Sequence, residues 1–389
     1  FLEHEKLDYI SYPYEWGFNQ LKDAALHHLN FQIFLLERGA ILVDSSAFNI
    51  QFKNNKPIFI DALSIDKYIE GEYWKGHSQF LQQFLNPLLL RSLKGISFND
   101  WYKGNLDGIK TTDLNSLLSL KDKISFNVFF SVVLLSKLEK QNTNNPKEAL
   151  KKIDKKRPLS KNSYKGILNQ LKNWIEKLKP LEKKTEWDDY SASNTYNLEQ
   201  ENKKIQIIKN FAKKNKPELM ADVGCNDGLY SFESLKAGCK KAIGFDIDIN
   251  AIDRAYNNSI KNNLNFLPLY FNATNPSAKL GWYEKERESF IDRLNFDAVI
   301  ALAFEHHLAL GQNIPLGDVV SWVMKIAKNG LIEYVEKTDE TVKRMLSLKG
   351  DIFPDYNQQN FEKNILLNGK ILEKTIISTT RVIYEFETN

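Results

Sequence analysis

The chain has 389 residues, 53 basic and 49 acidic, so its formal net charge is only +4. Hydrophobic residues make up 42% and charged residues 26%, as in ordinary globular proteins. This composition excludes a long uncharged membrane span and argues against a dedicated nucleic-acid binder, while the length favours two domains.

The chain begins with Phe1, and no signal of the secretory kind follows, so we expect an amino-terminally truncated chain. Its two cysteines, Cys225 and Cys239, are too few for a cysteine metal site. We therefore expect reduced thiols, a cytoplasmic location and no bound metal.

Residues 1–140 predict a smaller, mostly helical α+β domain. The helical spacing of Phe18 to Leu36 ends near Gly39, a plausible C-cap, and further helices are expected around 79–93 and 126–138. Between them, runs 49–52 and 57–60 predict a hairpin across a polar turn.

Three polar residues flank this hairpin, namely Asp44, Asn49 and Asp61. Their spacing resembles that of protein kinases, in which such residues manage the acceptor hydroxyl and magnesium. The glycine-rich loop and the paired Lys and Glu of a kinase are missing from the sequence. The domain is therefore either a kinase-like large-lobe remnant or a different fold in which Asp44 and Asn49 are only turn residues around the hairpin.

Residues 141–199 predict a linker, rich at first in Lys and Asn, followed by a bridging helix near 164–178. Trp187 and Tyr190 are either an aromatic lid over a ligand or ordinary packing residues. A further helix near 198–214 leads into the second domain.

Residues 200–389 alternate strands with helices, which is typical of a parallel sheet covered on both faces. The predicted fold class is α/β, a Rossmann-like doubly wound sheet whose last strand is antiparallel. The predicted strands are Leu219–Val223, Ala242–Asp246, Phe266–Phe271, Asp297–Leu302, Leu331–Val335, Ile371–Ser378 and Arg381–Phe386.

The turn after the first of these strands carries a cofactor motif. Asp222, Gly224 and Gly228 give an acidic-x-G-x-x-x-G arrangement, and Asn226 stands where a dinucleotide fingerprint needs glycine. A carboxylate suits the ammonium and sulfonium charges of S-adenosylmethionine, and an anion-binding loop would not favour it. The alternative is an ordinary strand-to-helix turn.

Asp246 ends the next strand, at the offset expected of an acid that binds both ribose hydroxyls. With these motifs, the region resembles the class I S-adenosylmethionine-dependent methyltransferases. The resemblance implies that Ile247 lies against adenine and that Asn272 accepts from the adenine amino group, although Asp is commoner there and a strand-end Asn often only caps.

Glu305, His306 and His307 follow the fourth strand, at the edge where this fold presents the methyl group. Either imidazole is a candidate general base, with Glu305 orienting it or raising its basicity. The alternatives are capping or packing, and a metal site is disfavoured because no further ligand lies at familiar spacing. The segment Asp351–Tyr356 lies where this fold builds substrate loops.

Motifs along nearly the whole chain resemble bacterial proteins related to the nodulation protein NoeA, which are grouped with methyltransferases. They are Ser11–Trp16, Asp44–Asp61 and Gln79–Leu89, with the downstream motifs. We therefore expect methyl transfer to an unidentified O or N acceptor, a small molecule or saccharide rather than nucleic acid, with the first domain recruiting substrate. The alternatives are a non-catalytic binding module on a retained scaffold and a nucleotide-dependent transferase run by Asp44, Asn49 and Asp61. The oligomeric state is left open.

Overall fold

A computed structural model describes residues 5–144, 158–181 and 198–389. Two compact units are present, which we call the first unit (Ser11–Lys183) and the second unit (Phe1–Ile10 with Lys184–Asn389). Trp187 and Tyr190 lie outside the described residues. No helix among those residues is long and apolar enough to cross a membrane.

The first unit is mostly helical with two small antiparallel strand pairs, β1 with β4 and β2 with β3. Its strands are β1 (Ala40–Leu42), β2 (Ile50–Lys53), β3 (Lys56–Phe59) and β4 (Ile65–Lys67). Its helices are α1 (Phe18–Glu37), α2 (His77–Phe80), α3 (Asn86–Lys94), α4 (Asn99–Gly104), α5 (Thr111–Leu117), α6 (Leu120–Ile124), α7 (Phe126–Val128), α8 (Leu135–Asn144) and α9 (Lys161–Lys177). Single 3₁₀ turns cover Pro13–Glu15, Ala47–Asn49 and Ala62–Ser64, and π-helical turns cover Leu81–Leu85 and Phe129–Leu134.

The hairpin and the helices expected near 18–36 and 79–93 are present, the latter interrupted by a π-helical turn. Pro87 follows this turn and has no N–H to donate to the preceding turn of the helix. The π-helical turn shifts the backbone hydrogen bonds just before it. Helix α9 is the bridging helix predicted near 164–178, and it packs on α1. The amide of Gln32 donates to Tyr164 Oη at 2.8 Å, and Lys22 Nζ donates to the carbonyl of Glu176 at 2.8 Å.

The second unit is built, within the described residues, on a seven-stranded sheet of order β10-β11-β9-β8-β5-β6-β7. Its strands are β5 (Leu219–Val223), β6 (Lys241–Asp246), β7 (Phe266–Tyr270), β8 (Phe296–Ala301), β9 (Ala327–Val335), β10 (Gly369–Ser378) and β11 (Arg381–Thr388). Its helices are α10 (Leu198–Asn215), α11 (Leu229–Ala237), α12 (Ile249–Lys261), α13 (Leu316–Met324), α14 (Glu340–Lys349) and α15 (Gln358–Asn368). It also has 3₁₀ turns at Trp282–Glu284 and Ile291–Arg293 and a π-helical turn at His307–Gly311.

Strands β5 to β9 pair in parallel, whereas β11 pairs antiparallel with both β9 and β10. The predicted α/β class with a reversed last strand is therefore confirmed. Every residue of β5 is buried, because helices cover the central strands. The chain order reverses between β5 and β8, and open sheets of this kind bind ligands at the carboxyl ends of the strands beside that point.

Candidate active site

The turn after β5 has a backbone that suits glycine. Gly224 and Gly228 have φ values of +77° and +88°, and Asn226, a residue that tolerates the left-handed region, has φ +48°. A Cβ on Gly228 would lie 2.8 Å from the ring of Phe266, and one on Gly224 would lie 3.1 Å from the ring of Phe304. The loop therefore needs both the conformation and the small size of glycine at these positions.

The carboxylate of Asp246 ties this loop to the end of β6. Its Oδ2 accepts the backbone N–H of Asn226 at 2.8 Å, and its Oδ1 accepts that of Asp248 at 2.8 Å. Burial raises the pKa of Asp246 to about 6. Each carboxylate oxygen has a further lone pair, so Asp246 has the acceptors that a ribose diol needs.

Asp222 is the buried acid of the loop, with 2% of its surface exposed. Its Oδ2 accepts the hydroxyl of Ser231 at 2.6 Å, and burial raises its pKa to about 7. Ser231 lies in the first turn of α11, and sequence reasoning missed it because a serine nine residues after an acid carries no motif.

Two predicted adenine contacts lie on the same edge of the sheet. Ile247 is 44% exposed directly after β6. Asn272 follows β7, and its Oδ1 accepts both the N–H and the hydroxyl of Thr274, at 3.0 and 2.7 Å. An adenine amino group would have to replace one of these hydrogen bonds, because an amide oxygen has only two lone pairs.

Glu305, His306 and His307 follow β8, at the start of a π-helical turn, a feature frequent at functional sites. Glu305 is fully buried. Its Oε2 lies 2.9 Å from His306 Nδ1 and accepts the His306 N–H, while its Oε1 accepts the N–H of Val335 and the hydroxyl of Tyr356. Burial raises the pKa of Glu305 to about 7.

The two histidines differ in burial. His306 is fully buried, and its Nε2 has no hydrogen-bond partner among the described residues; His307 is partly buried. Their ring centroids are 4.1 Å apart. Burial lowers the pKa of His306 to about 3 and that of His307 well below its ordinary value, so both imidazoles are neutral near pH 7.

Tyr356 connects this group to the predicted substrate loop. Its hydroxyl lies 2.8 Å from Glu305 Oε1 and 2.6 Å from the carbonyl of Val335 on β9. The other end of the loop is held by Lys337, whose Nζ donates to Asp351 and to the carbonyl of Phe353. The segment 351–356 is thereby anchored beside Glu305.

A second buried ionic group, which no sequence motif indicated, lies against the backbone just before Glu305. Lys204 of α10 and Glu333 of β9 are both fully buried, with Nζ and Oε1 2.7 Å apart. Glu333 Oε2 also accepts the N–H of Ala303, a residue with φ +50°. Glu333 thus holds the strained backbone just before Glu305.

The described residues contain no group of three or more His, Cys, Asp or Glu that could hold a metal ion. Cys225 and Cys239 are free, buried thiols. In the first unit, the amide of Asn49 lies 3.2 Å from a carboxylate oxygen of Asp44 and 3.2 Å from one of Asp61. The structure therefore brings the three kinase-spaced residues together.

Comparison with known proteins finds a matching family model and relatives in sequence. The family model described as Ribosomal protein L11 methyltransferase (PrmA) matches residues 202–301. The nodulation protein NoeA of Rhizobium meliloti (strain 1021) is 45% identical over 388 residues, which are 99% of this chain and 81% of that protein. The tRNA U34 carboxymethyltransferase of Campylobacter lari is 33% identical over 88 residues, 22% of this chain and 26% of that protein.

Among solved structures, magnesium protoporphyrin IX methyltransferase (ChlM) from Synechocystis PCC 6803, with bound SAH, aligns with a TM-score of 0.36 and 18% identity. It covers 49% of this chain and 84% of its own. The PH0226 protein from Pyrococcus horikoshii OT3 aligns with a TM-score of 0.37 and 16% identity over 52% of this chain and 99% of its own.

Proposed function

Because this chain belongs to the family of the nodulation protein NoeA and has a methyltransferase fold, we propose that it transfers a methyl group from S-adenosylmethionine to an oxygen or nitrogen acceptor. The observation that carries the proposal is the pair of acids at the carboxyl ends of β5 and β6, of which Asp222 is buried and Asp246 is partly exposed. Asp222 and Asp246 flank a loop that accepts only glycine at two positions.

These residues fit the cofactor in charge and in hydrogen bonding. Asp246 would hold the ribose hydroxyls, and Asp222 would face the cationic methionine end across Gly224 and Asn226. Ile247 offers an exposed apolar side chain for adenine. When bound, S-adenosylmethionine supplies an electrophilic methyl group on a positively charged sulfur.

The chain's own contribution to the chemistry is to position the acceptor and remove its proton. A neutral His306 whose Nδ1 donates to Glu305 leaves its Nε2 as an acceptor. His307 is the more exposed imidazole, so an acceptor at the surface would meet it first. We assign proton removal to this histidine pair, with Glu305 and Tyr356 as positioning residues.

The low net charge of +4 favours a small molecule or saccharide over nucleic acid as the methyl acceptor. We assign recruitment of this acceptor to the first unit. The rival function, from a different class, is a non-catalytic binding module that uses the retained scaffold, and it requires cofactor affinity without turnover.

Calorimetric titration with S-adenosylmethionine and with its demethylated product tests the proposal directly. Both ligands should bind to the parent chain, and the variant Asp246→Ala should bind neither. Labelled cofactor can then be used with the parent chain to screen for methyl acceptors. Binding with no transfer to any acceptor fraction favours the rival module. A folded chain that binds neither ligand refutes the cofactor site.

A further inference from the structure

The first unit carries a cluster of large apolar side chains that face solvent, formed by Leu120, Ile124, Phe126, Phe129 and Phe130. We call it the apolar tip. Leu120 is 82% exposed, Ile124 81% and Phe126 66%. Single exposed apolar residues are normal, but five within eleven consecutive positions are not explained by the packing of a soluble unit.

The tip lies on three consecutive segments of the chain, namely α6, α7 and the π-helical turn that follows. No residue of α6 is buried, and Leu120 and Ile124 lie four positions apart on one helical face. The ring of Phe130 lies 4.6 Å from that of Phe126 and 5.4 Å from that of Phe129, measured between centroids.

Positive charge lies among these apolar side chains. Lys121 and Lys123 stand between Leu120 and Ile124, with Lys121 exposed and Lys123 partly so. The acid between them already has partners on its own helix and on α3. Asp122 accepts from the N–H and hydroxyl of Ser119 and pairs with Lys94, at 2.5 Å.

We propose that the apolar tip is a peripheral docking surface for an anionic lipid membrane. Aromatic and aliphatic side chains enter the boundary between headgroups and acyl chains, and the two lysines meet the negative headgroups. Such a surface lies on the bilayer and needs no spanning helix. A second copy of the chain fits less well, since a symmetric contact would bring the lysines of both copies together.

Cosedimentation of the full chain with vesicles tests this surface. One set is pure phosphatidylcholine, and in the other about a third of the lipid is phosphatidylglycerol. We expect binding to the anionic vesicles that weakens with salt. The variant Ile124→Glu/Phe126→Glu/Phe130→Glu should bind roughly tenfold or more weakly. Lys121→Glu/Lys123→Glu should lose only the preference for anionic lipid.

The matched control is Leu63→Glu, because Leu63 is 95% exposed in the same unit but lies outside the tip. It should bind as the parent does, and circular dichroism should show every variant folded. Three results overturn the proposal: no vesicle binding by the parent chain, equal binding by the triple variant, or equal loss in Leu63→Glu. Self-association that the triple variant abolishes, without vesicle binding, assigns the tip to a second copy and overturns it as well.

Discussion

Replacement of Asp246 by Asn tests the cofactor site at its best-defined point. The carboxylate accepts two backbone N–H groups, from Asn226 and Asp248, each at 2.8 Å. An amide has one oxygen, so one of these donors would face an NH₂ group, and one ribose hydroxyl would lose its acceptor. The loss of a charge-assisted hydrogen bond costs about 1.5–3 kcal/mol, or roughly a 10- to 150-fold weaker affinity.

Calorimetry with two ligands distinguishes this effect from a general loss of folding. Because S-adenosylmethionine and its demethylated product share the ribose, Asp246→Asn should weaken both by the same factor. Asp222→Asn should weaken S-adenosylmethionine more, since only that ligand carries the sulfonium charge. The exposed Asp318, mutated to Asn, controls for the loss of one negative charge. Unchanged affinity in Asp246→Asn would remove this residue from the site.

Three further changes probe the same unit. Cofactor affinity should rise from pH 5 to 8, because Asp222 and Asp246, with pKa values of about 7 and 6, ionise in that range and attract the cationic cofactor more strongly when ionised. Their raised pKa values also make the free chain lose stability as they ionise, so the melting temperature is compared with and without cofactor at each pH. The cofactor-induced rise should grow with pH, and a flat profile would contradict the prediction. His306→Gln and His307→Gln should each keep cofactor affinity, and the histidine that takes the proton should lose about 10²- to 10⁴-fold in transfer rate, whereas full activity in both variants would end the general-base proposal. Lys204→Met should lower the free energy of unfolding by up to about 3–5 kcal/mol in urea denaturation, because it removes the 2.7 Å partner of the buried Glu333 and leaves only Arg381, at 3.7 Å, to compensate that charge; a loss below about 1 kcal/mol would refute the ion pair.

The sequence predicts those elements of the second unit that are determined by residues adjacent in the chain. Strand β5 has the predicted bounds, because a short apolar run followed by glycine is a local signal. Strand β9 begins at Ala327, whereas the prediction began at Leu331. The first residues of the strand were missed because they include polar ones and Gly330, which do not resemble a buried strand. A Cβ on Gly330 would lie 2.5 Å from the ring of Phe386 on β11, so this glycine allows a close strand contact.

The supporting residues of the candidate site were beyond sequence reasoning. Each contact joins residues that only the tertiary fold brings together, and no spacing in the sequence predicts them. The pairs are Ser231 with Asp222, Tyr356 with Glu305 and Glu333 with Ala303. The expected basicity of the histidines also depends on burial, which lowers the pKa of His306 to about 3 even though Glu305 lies beside it. The two histidines could be identified from the sequence, but the burial that lowers their pKa values could not.

Three buried ionic residues, one on α10, one on β9 and one after β8, are costly to the fold. Taking Lys204, Glu333 and Glu305 out of water carries a penalty of several kcal/mol for each ion, and apolar residues of similar size would often stabilise such a site as well or better. Stability alone therefore does not account for three such side chains around Ala303 and Glu305. We infer that they hold one strained loop in one orientation beside the cofactor motif. In the proposed reaction, an imidazole can take the proton of a bound acceptor only if its unprotonated ring nitrogen faces that acceptor, which depends on its tautomer and position.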